Sequence, residues 1–315
     1  MTSDSIEVLS VNISGEKGTI KHPVPWVTVG QSGIAGDAHA GTANRLISIL
    51  DNGSVKRFAK EIGRELACGE FAENITTRGL DTNRVRLLDR FNIGPVELEV
   101  TQIGKKCHGD NCAIFREVGR CVMPKEGIFC RVIHGGTIKA GQPIEYLPKT
   151  LGIKIITLSD RASRGEYLDL SGPRIRVRVE EFLAGRKWPP VFETVVIPDD
   201  AGALERELRA ARESGIDVVF TTGGTGVGPR DITPEVVAGV CDRLIPGIME
   251  SIRLTYGATN PAALLSRSVA GVMGKGAVFS LPGSIKAVDE YMTEILKNLE
   301  HLLLMIHGLD VHGHS

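Results

Sequence analysis

The sequence predicts a multidomain chain, with an N-terminal β-rich barrel followed by an α/β domain whose mostly parallel sheet is flanked by helices. Three observations carry this expectation. The length, 315 residues, suits two domains of ordinary size. Residues 1–147 hold short apolar or alternating runs separated by Gly-rich turns, as in a barrel or sandwich. Beyond Gly152, strand-like and helix-like runs alternate, as in βαβ units on a parallel sheet.

In the first half, IEVLSVNIS (6–14), RVRLLD (84–89), VELEVTQIG (96–104) and IFCRVIHGG (128–136) read as strands. The segments GQSGIAGDAHAG and HGGTIKAGQP read as turns. A helix fits 54–65, where Val55, Phe58, Ala59 and Ile62 share a face. Pro148 and Gly152 mark a linker at 148–152, so the domains expected are 1–147 and 153–306, with a loose tail at 307–315. In the second half, GIKIITLS, VFETVVIP, IDVVFTT and GAVFSLPG are strands and 171–185, 201–214 and 284–306 are helices. Another helix is expected from Thr233, with that threonine as N-cap and Pro234 in the first turn.

Composition narrows the function classes. Hydrophobic residues are 42% and charged residues 24%, ordinary for a globular chain. Residues 1–150 carry a net +2 and the remainder −3, so no basic face points to nucleic acid or an anionic membrane. No apolar run reaches the ~18 residues of a membrane span. The first residues carry neither a basic start nor an apolar core, so a cytoplasmic protein is expected. The cysteines Cys68, Cys107, Cys112, Cys121, Cys130 and Cys241 lack paired CxxC spacing, which argues for free thiols over structural zinc.

The most informative segment is TTGGTGVGPRDITPE, 221–235. It leaves a strand, passes through glycines and enters a helix, a turn in which backbone N–H groups approach an anion closely. It has neither the lysine of a P-loop nor the spacing of a dinucleotide fingerprint. Asp231 lies just before the helix and Asp199 follows the strand VFETVVIP. Strand ends of a parallel sheet line one edge, so these two carboxylates can converge. Such a pair beside a phosphate loop suits Mg²⁺, which takes a few carboxylates plus substrate phosphates. Taken singly, Asp231 also reads as a helix cap and Asp199 as a turn acid. The hydroxyls of Ser159 and Thr225 read equally as ligand contacts or turn caps.

The segments IITLSDRASRGEYLDLSG, VIPDDAG, TTGGTGVGPRDITPE, PGIMESIR, LLSRSVAGV and SLPGS occur in that order, and 151–306 thereby resembles the MogA/MoaB molybdopterin-binding family. The resemblance implies a domain that binds molybdopterin and, in MogA-type members, transfers AMP from Mg·ATP to its terminal phosphate. It places Asp199 and Asp231 at the family's functional acidic positions, catalytic and metal-binding. Thr222, Gly223, Gly224, Thr225 and Gly226 match the binding loop, Ser159, Asp160 and Arg161 the first strand-end motif, and Pro282, Gly283 and Ser284 the last loop. Ile285 departs from the proline or polar residue of many members. The resemblance also implies a trimer or hexamer and other molybdenum cofactor biosynthesis enzymes as partners.

In the first half, Asp37 and His39 sit in a glycine-rich turn, GEFAENITTRGLD is a polar loop, and Cys107 follows a strand. Lys105, Lys106 and His108 flank Cys107 and favour its thiolate, a nucleophile, sulfur carrier or soft metal ligand. A plain strand-end thiol is the alternative. Gly36, Asp37, His39 and Gly41, with EFAENITTRGLD, DRFNIGPVELEVTQIGKKC and GTIKAGQPI, make residues 6–147 resemble the MOSC domain. That resemblance implies that Cys107 handles sulfur or binds the molybdenum cofactor. Together the halves predict a molybdenum cofactor biosynthesis enzyme, with a non-catalytic cofactor carrier or scaffold as the alternative.

Overall fold

The structure, a computed structural model, describes residues 5–41, 44–105, 121–186 and 188–309. Its backbone contacts divide the chain between Lys149 and Thr150 into two units.

The first unit is β-rich. Its strands are β1 (Glu7–Ile13), β2 (His22–Val24), β3 (Trp26–Gly30), β4 (Gly33–Ile34), β5 (Ile47–Asp51), β6 (Ile75–Arg78), β7 (Arg90–Ile93), β8 (Val96–Ile103), β9 (Ile128–His134), β10 (Gly136–Lys139) and β11 (Glu145–Leu147). They form an eight-stranded sheet in the order β11-β7-β8-β9-β5-β6-β1-β2 and a three-stranded sheet β10-β3-β4. Both sheets feed one apolar core, where Val11, Ile49 and Leu98 meet Val27, Val29 and Ile138. Among the described residues the end strands β11 and β2 do not pair, but the segment leading into β11 bonds to β1: Val8 N donates to the Gln142 carbonyl (2.9 Å), Gly141 N to the Val8 carbonyl (2.8 Å) and Ile144 N to the Ile6 carbonyl (2.8 Å).

Helix α1 (Asn52–Ile62) starts where Asp51 accepts a hydrogen bond from Gly53 N (2.7 Å) and stops at Gly63, whose φ of 69° is left-handed. A one-turn helix, α2, spans Met123–Glu126. The strand expected at RVRLLD is a turn. Arg86 N donates to Asp89 Oδ2 (2.6 Å), and Leu88 takes a φ of 69°, which no strand tolerates. The segment RLISIL, which follows the glycine-rich turn and is not among the expected strands, supplies β5, every residue of which is buried.

The second unit begins earlier than the expected linker allowed, because Leu151 and Gly152 already belong to β12 (Leu151–Leu158). There follow α3 (Asp160–Ser163), α4 (Ser171–Leu183), β13 (Pro190–Ile197), α5 (Ala201–Glu213), β14 (Val218–Thr222), α6 (Thr233–Val240), β15 (Arg243–Leu244), α7 (Pro246–Gly257), β16 (Ala270–Met273), β17 (Gly276–Leu281) and α8 (Ile285–Ile306). The sheet order is β13-β12-β14-β17-β16-β15, with the first four strands parallel and the last two antiparallel.

β14 and β17 are buried along their whole length, which explains the apolar runs at 218–220 and 277–279. On one face Leu204 and Leu208 of α5 and Val237 of α6 pack on Ile156, Val219 and Val278. Helices α4 and α8 pair with each other and contact β12 and β17. Asp200 caps α5 through Ala203 N (2.7 Å) and Ser284 caps α8 through Ala287 N (3.3 Å).

Thr233 departs from its expected role. It is the first residue of α6 rather than the cap, and its hydroxyl donates to the Gly223 carbonyl (2.8 Å). The tail expected at 307–315 lies mostly outside the described residues, but Leu309 is buried.

Candidate functional site at the carboxyl ends of the parallel strands

The chain leaves β12 for β13 on one side and then crosses to β14 on the other. That reversal opens a crevice at the carboxyl ends of the strands, where open α/β sheets bind ligands. A cavity of ≈ 490 Å³ lies there, and Ser159, Asp199, Thr222, Gly224, Asp231, Gly283 and Ser284 line it. Seven of the residues picked out in the sequence therefore share one site. Asp160, Arg161, Gly223, Thr225, Gly226 and Pro282 are not in its lining.

The glycine loop is held from several directions. Gly223 N donates to the Leu281 carbonyl (3.0 Å) and Thr222 Oγ1 to the Pro282 carbonyl (2.9 Å), tying the loop to the end of β17. Gly223 has φ 105°, and a Cβ there would stand 2.4 Å from the Leu158 carbonyl oxygen. At Gly224, φ is 63° and a Cβ would meet Thr233 Oγ1 at 2.7 Å. Only glycine fits either position. Thr225 is buried, so it supports the loop rather than facing the cavity.

Arg267, which the sequence reading passed over inside LLSRSVAGV, spans the next turn. Its Nε donates to the Gly226 carbonyl and its Nη2 to the Asp231 carbonyl, both at 2.6 Å. Its backbone N donates to the Thr225 carbonyl (2.9 Å), and Nη1 pairs with Glu235. A lone arginine in a serine-rich segment carries no sequence signal for this.

The acidic groups do converge. Burial, with the nearby Asp231 charge, raises the Asp199 carboxyl above the ordinary carboxylate range. Asp231 is not a helix cap, since its Oδ2 accepts from Gly228 N (2.8 Å) within its own turn. Asp160 and Asp199 bond reciprocally. Asp160 N donates to Asp199 Oδ2 (3.2 Å), and Asp199 N to Asp160 Oδ1 (3.1 Å).

Ser159 caps α3, accepting from Ala162 N (3.2 Å), and its hydroxyl also lies 3.0 Å from the Tyr167 hydroxyl. Arg161 stacks over the Tyr167 ring at 5.0 Å. Asp169, also missed, lines the cavity and caps α4 through Ser171 N (2.9 Å) and Gly172 N (3.1 Å). Its aspartate two residues before a helix start was the available clue. Among the described residues no three His, Cys, Asp or Glu side chains form a metal cage. Two like-charged carboxylates at one cleft do fit Mg²⁺, which binds one or two carboxylates and completes its shell with water and phosphate.

A family model described as a probable molybdopterin binding domain matches residues 154–301, and a MOSC domain model matches 36–145. A molybdopterin adenylyltransferase of Helicobacter pylori is 36% identical over 161 residues, 51% of this chain and 90% of the relative. The chain belongs to the MogA/MoaB molybdopterin-binding family. Two further members, both named molybdopterin adenylyltransferase, are similar. The one from Haemophilus influenzae is 38% identical over 44% of this chain and 70% of its own length, and the one from Escherichia coli 36% over 51% and 80%.

The MogA/MoaB-like half is joined to a unit with its own polar centre. Lys21 Nζ and Asp37 Oδ2 pair at 2.6 Å with both side chains 1% exposed. Asn74 Nδ2 (3.1 Å) and Ser14 N (3.3 Å) also donate to Asp37 Oδ2, and His39 N (3.0 Å) to its Oδ1. Burial alone would push the Asp37 carboxyl up, but the bonds from His39 and Lys21 outweigh it and hold the group well below the ordinary range. Glu73 is fully buried, and burial pushes its carboxyl up although Gly69 N (2.6 Å) and Thr76 Oγ1 (2.8 Å) donate to it. Cys107 and Cys112 lie outside the described residues. Cys130 is fully buried, which pushes its thiol far up, and Cys241 is pushed up to about 11, first by burial and then by Asp242.

Proposed function

We propose that the second unit transfers AMP from Mg·ATP to the terminal phosphate of molybdopterin, and that the first unit holds or sulfurates the cofactor through Cys107. The observation that carries the first part is the meeting of Asp199 and Asp231 at the mouth of a cleft whose floor is a glycine-only loop. The relatives named molybdopterin adenylyltransferase support the same reading.

In this reading a phosphate oxygen of molybdopterin attacks the α-phosphorus of ATP and pyrophosphate leaves. The loop Thr222–Gly226 positions a phosphate by close backbone approach, which fixes the line of attack. Asp199 and Asp231 hold Mg²⁺, which when bound neutralises charge on the phosphates. Ser159 and Ser284 border the cleft and orient the substrates, while Asp160 holds the backbone of Asp199. Arg267 keeps the turn 226–231, and hence Asp231, in place. Support for Cys107 is its sequence setting between Lys105, Lys106 and His108. We infer an oligomer, a trimer or hexamer, from the family resemblance.

The test is incubation of the full chain with molybdopterin, Mg²⁺ and ATP labelled at the α-phosphate. Labelled adenylylated molybdopterin is expected. Tight molybdopterin binding without any AMP transfer would favour a carrier instead.

A further inference from the structure

The cleft is acidic. Asp169, Asp199 and Asp231 line it, and Arg230 is the single basic side chain among its described lining residues. The loop has no P-loop lysine. Both substrates of the proposed reaction are phosphate esters, and bare carboxylates repel them. Mg²⁺ held by Asp199 and Asp231 would offset part of that repulsion, and a cation of the chain itself facing the cleft would offset more.

Arg230 is 69% exposed and forms an ion pair with Asp160 Oδ2. Asp160 is 19% exposed, and its other oxygen is already engaged by Asp199 N (3.1 Å). So the pair joins the loop after β14, where Arg230 lines the cleft, to the start of the helix after β12. An exposed ion pair is weak, so giving it up costs binding at most about fivefold. A guanidinium that accepts a phosphate in exchange gains two parallel charge-assisted hydrogen bonds.

Resting on the AMP-transfer reading, we infer that Arg230 is the phosphate-gripping residue of this cleft, parked on Asp160 until a phosphate ester displaces that carboxylate. The shared chemistry is a phosphate ester, either the triphosphate of ATP or the monophosphate of molybdopterin. The inference makes two substitutions act in opposite directions. Removing Arg230 removes the grip. Neutralising Asp160 frees Arg230, while asparagine keeps an oxygen for Asp199 N.

The experiment is calorimetric titration of the full chain, with Mg·ATP in one arm and molybdopterin in the other. Arg230→Gln should weaken at least one ligand by ~10–100-fold, the loss of a bidentate charge-assisted contact. Asp160→Asn should tighten that same ligand, by up to ~5-fold. Loss in the ATP arm alone assigns the nucleotide phosphate, loss in the molybdopterin arm alone the pterin phosphate, and loss in both a contact to each. Arg230→Lys, which keeps the charge and loses the fork, should fall between wild type and glutamine. Wild-type affinity of Arg230→Gln for both ligands overturns the inference. So does Asp160→Asn weakening the ligand as much as Arg230→Gln, since the pair would then be a structural tie. A wild-type chain that binds neither ligand refutes the AMP-transfer reading instead, before any variant is compared.

Discussion

Asp199 gains a proton at a higher pH than an ordinary carboxyl because it is partly buried and faces Asp231. Its charged form, the one a cation needs, is therefore lost as pH falls through that raised value. Replacing Asp231 by Asn removes the like charge. AMP transfer should drop by ~10²–10³ in kcat, the usual cost of a lost transition-state electrostatic contact. The acid limb of the residual activity should move to lower pH. Near-normal turnover in a kcat–pH profile, or an unmoved acid limb, would count against the pairing.

The buried Lys21–Asp37 pair gives the opposite sign. The Asp37 carboxyl is held below its unfolded value, so its stabilisation is present in full above about pH 4 and fades as pH falls through the folded value. Asp37→Asn leaves the Lys21 ammonium buried without its counter-charge, and a loss of ~3–5 kcal/mol is expected. Chemical denaturation at neutral pH would show it as a lower midpoint, and an unshifted midpoint would rule it out.

At the scale of elements, the site is a set of turns fixed by strand ends. Gly223→Ala should disrupt the loop, because its Cβ would meet a carbonyl of the neighbouring strand, which cannot yield as a side chain can. Molybdopterin affinity should be lost while the far-ultraviolet circular dichroism stays near wild type. Unchanged affinity would make the loop merely structural. Arg267→Ala frees the carbonyls of Gly226 and Asp231. It should speed hydrogen exchange of the amides between them, with Gly228 N, the donor to Asp231, the most affected. Wild-type exchange there would mean the turn holds itself.

Elements with strong local signals were legible. The apolar face of α1 and the apolar runs of β12, β14 and β17 match their sequence readings, although α1 ends at Ile62 rather than at 65 because Gly63 turns left-handed. RVRLLD was misread because alternation cannot reveal the Asp89 turn that drives Leu88 to a positive φ. β5 was missed because its apolar run sits directly after a glycine-rich turn, and only pairing with β6 and β9 makes it a strand.

At the scale of the whole molecule, the two units divide between Lys149 and Thr150, and the proposed AMP-transfer residues all lie in the second. A fragment of residues 150–309 should therefore transfer AMP at a rate close to that of the full chain, and Cys107→Ser in the full chain should leave transfer intact. Loss of transfer in either, measured with the labelled-ATP assay, would mean the two units act as one site. Among the described residues no helix is long and apolar enough to cross a membrane.

The sequence alone determined the two-unit plan, the class of each half, the glycine loop and the acidic pair, because these rest on local periodicity, backbone conformation and residue chemistry. Tertiary structure decided what the groups do to one another. Burial, and then Asp231, raise Asp199, Arg267 reaches back to clamp Gly226 and Asp231, Thr233 serves the loop instead of its helix, and Arg230 pairs with Asp160. Apart from the Thr233 bond, which closes the turn after β14 on itself, each of these joins residues from different loops. Their proximity is set by sheet order and crossover, which no local pattern of residues encodes.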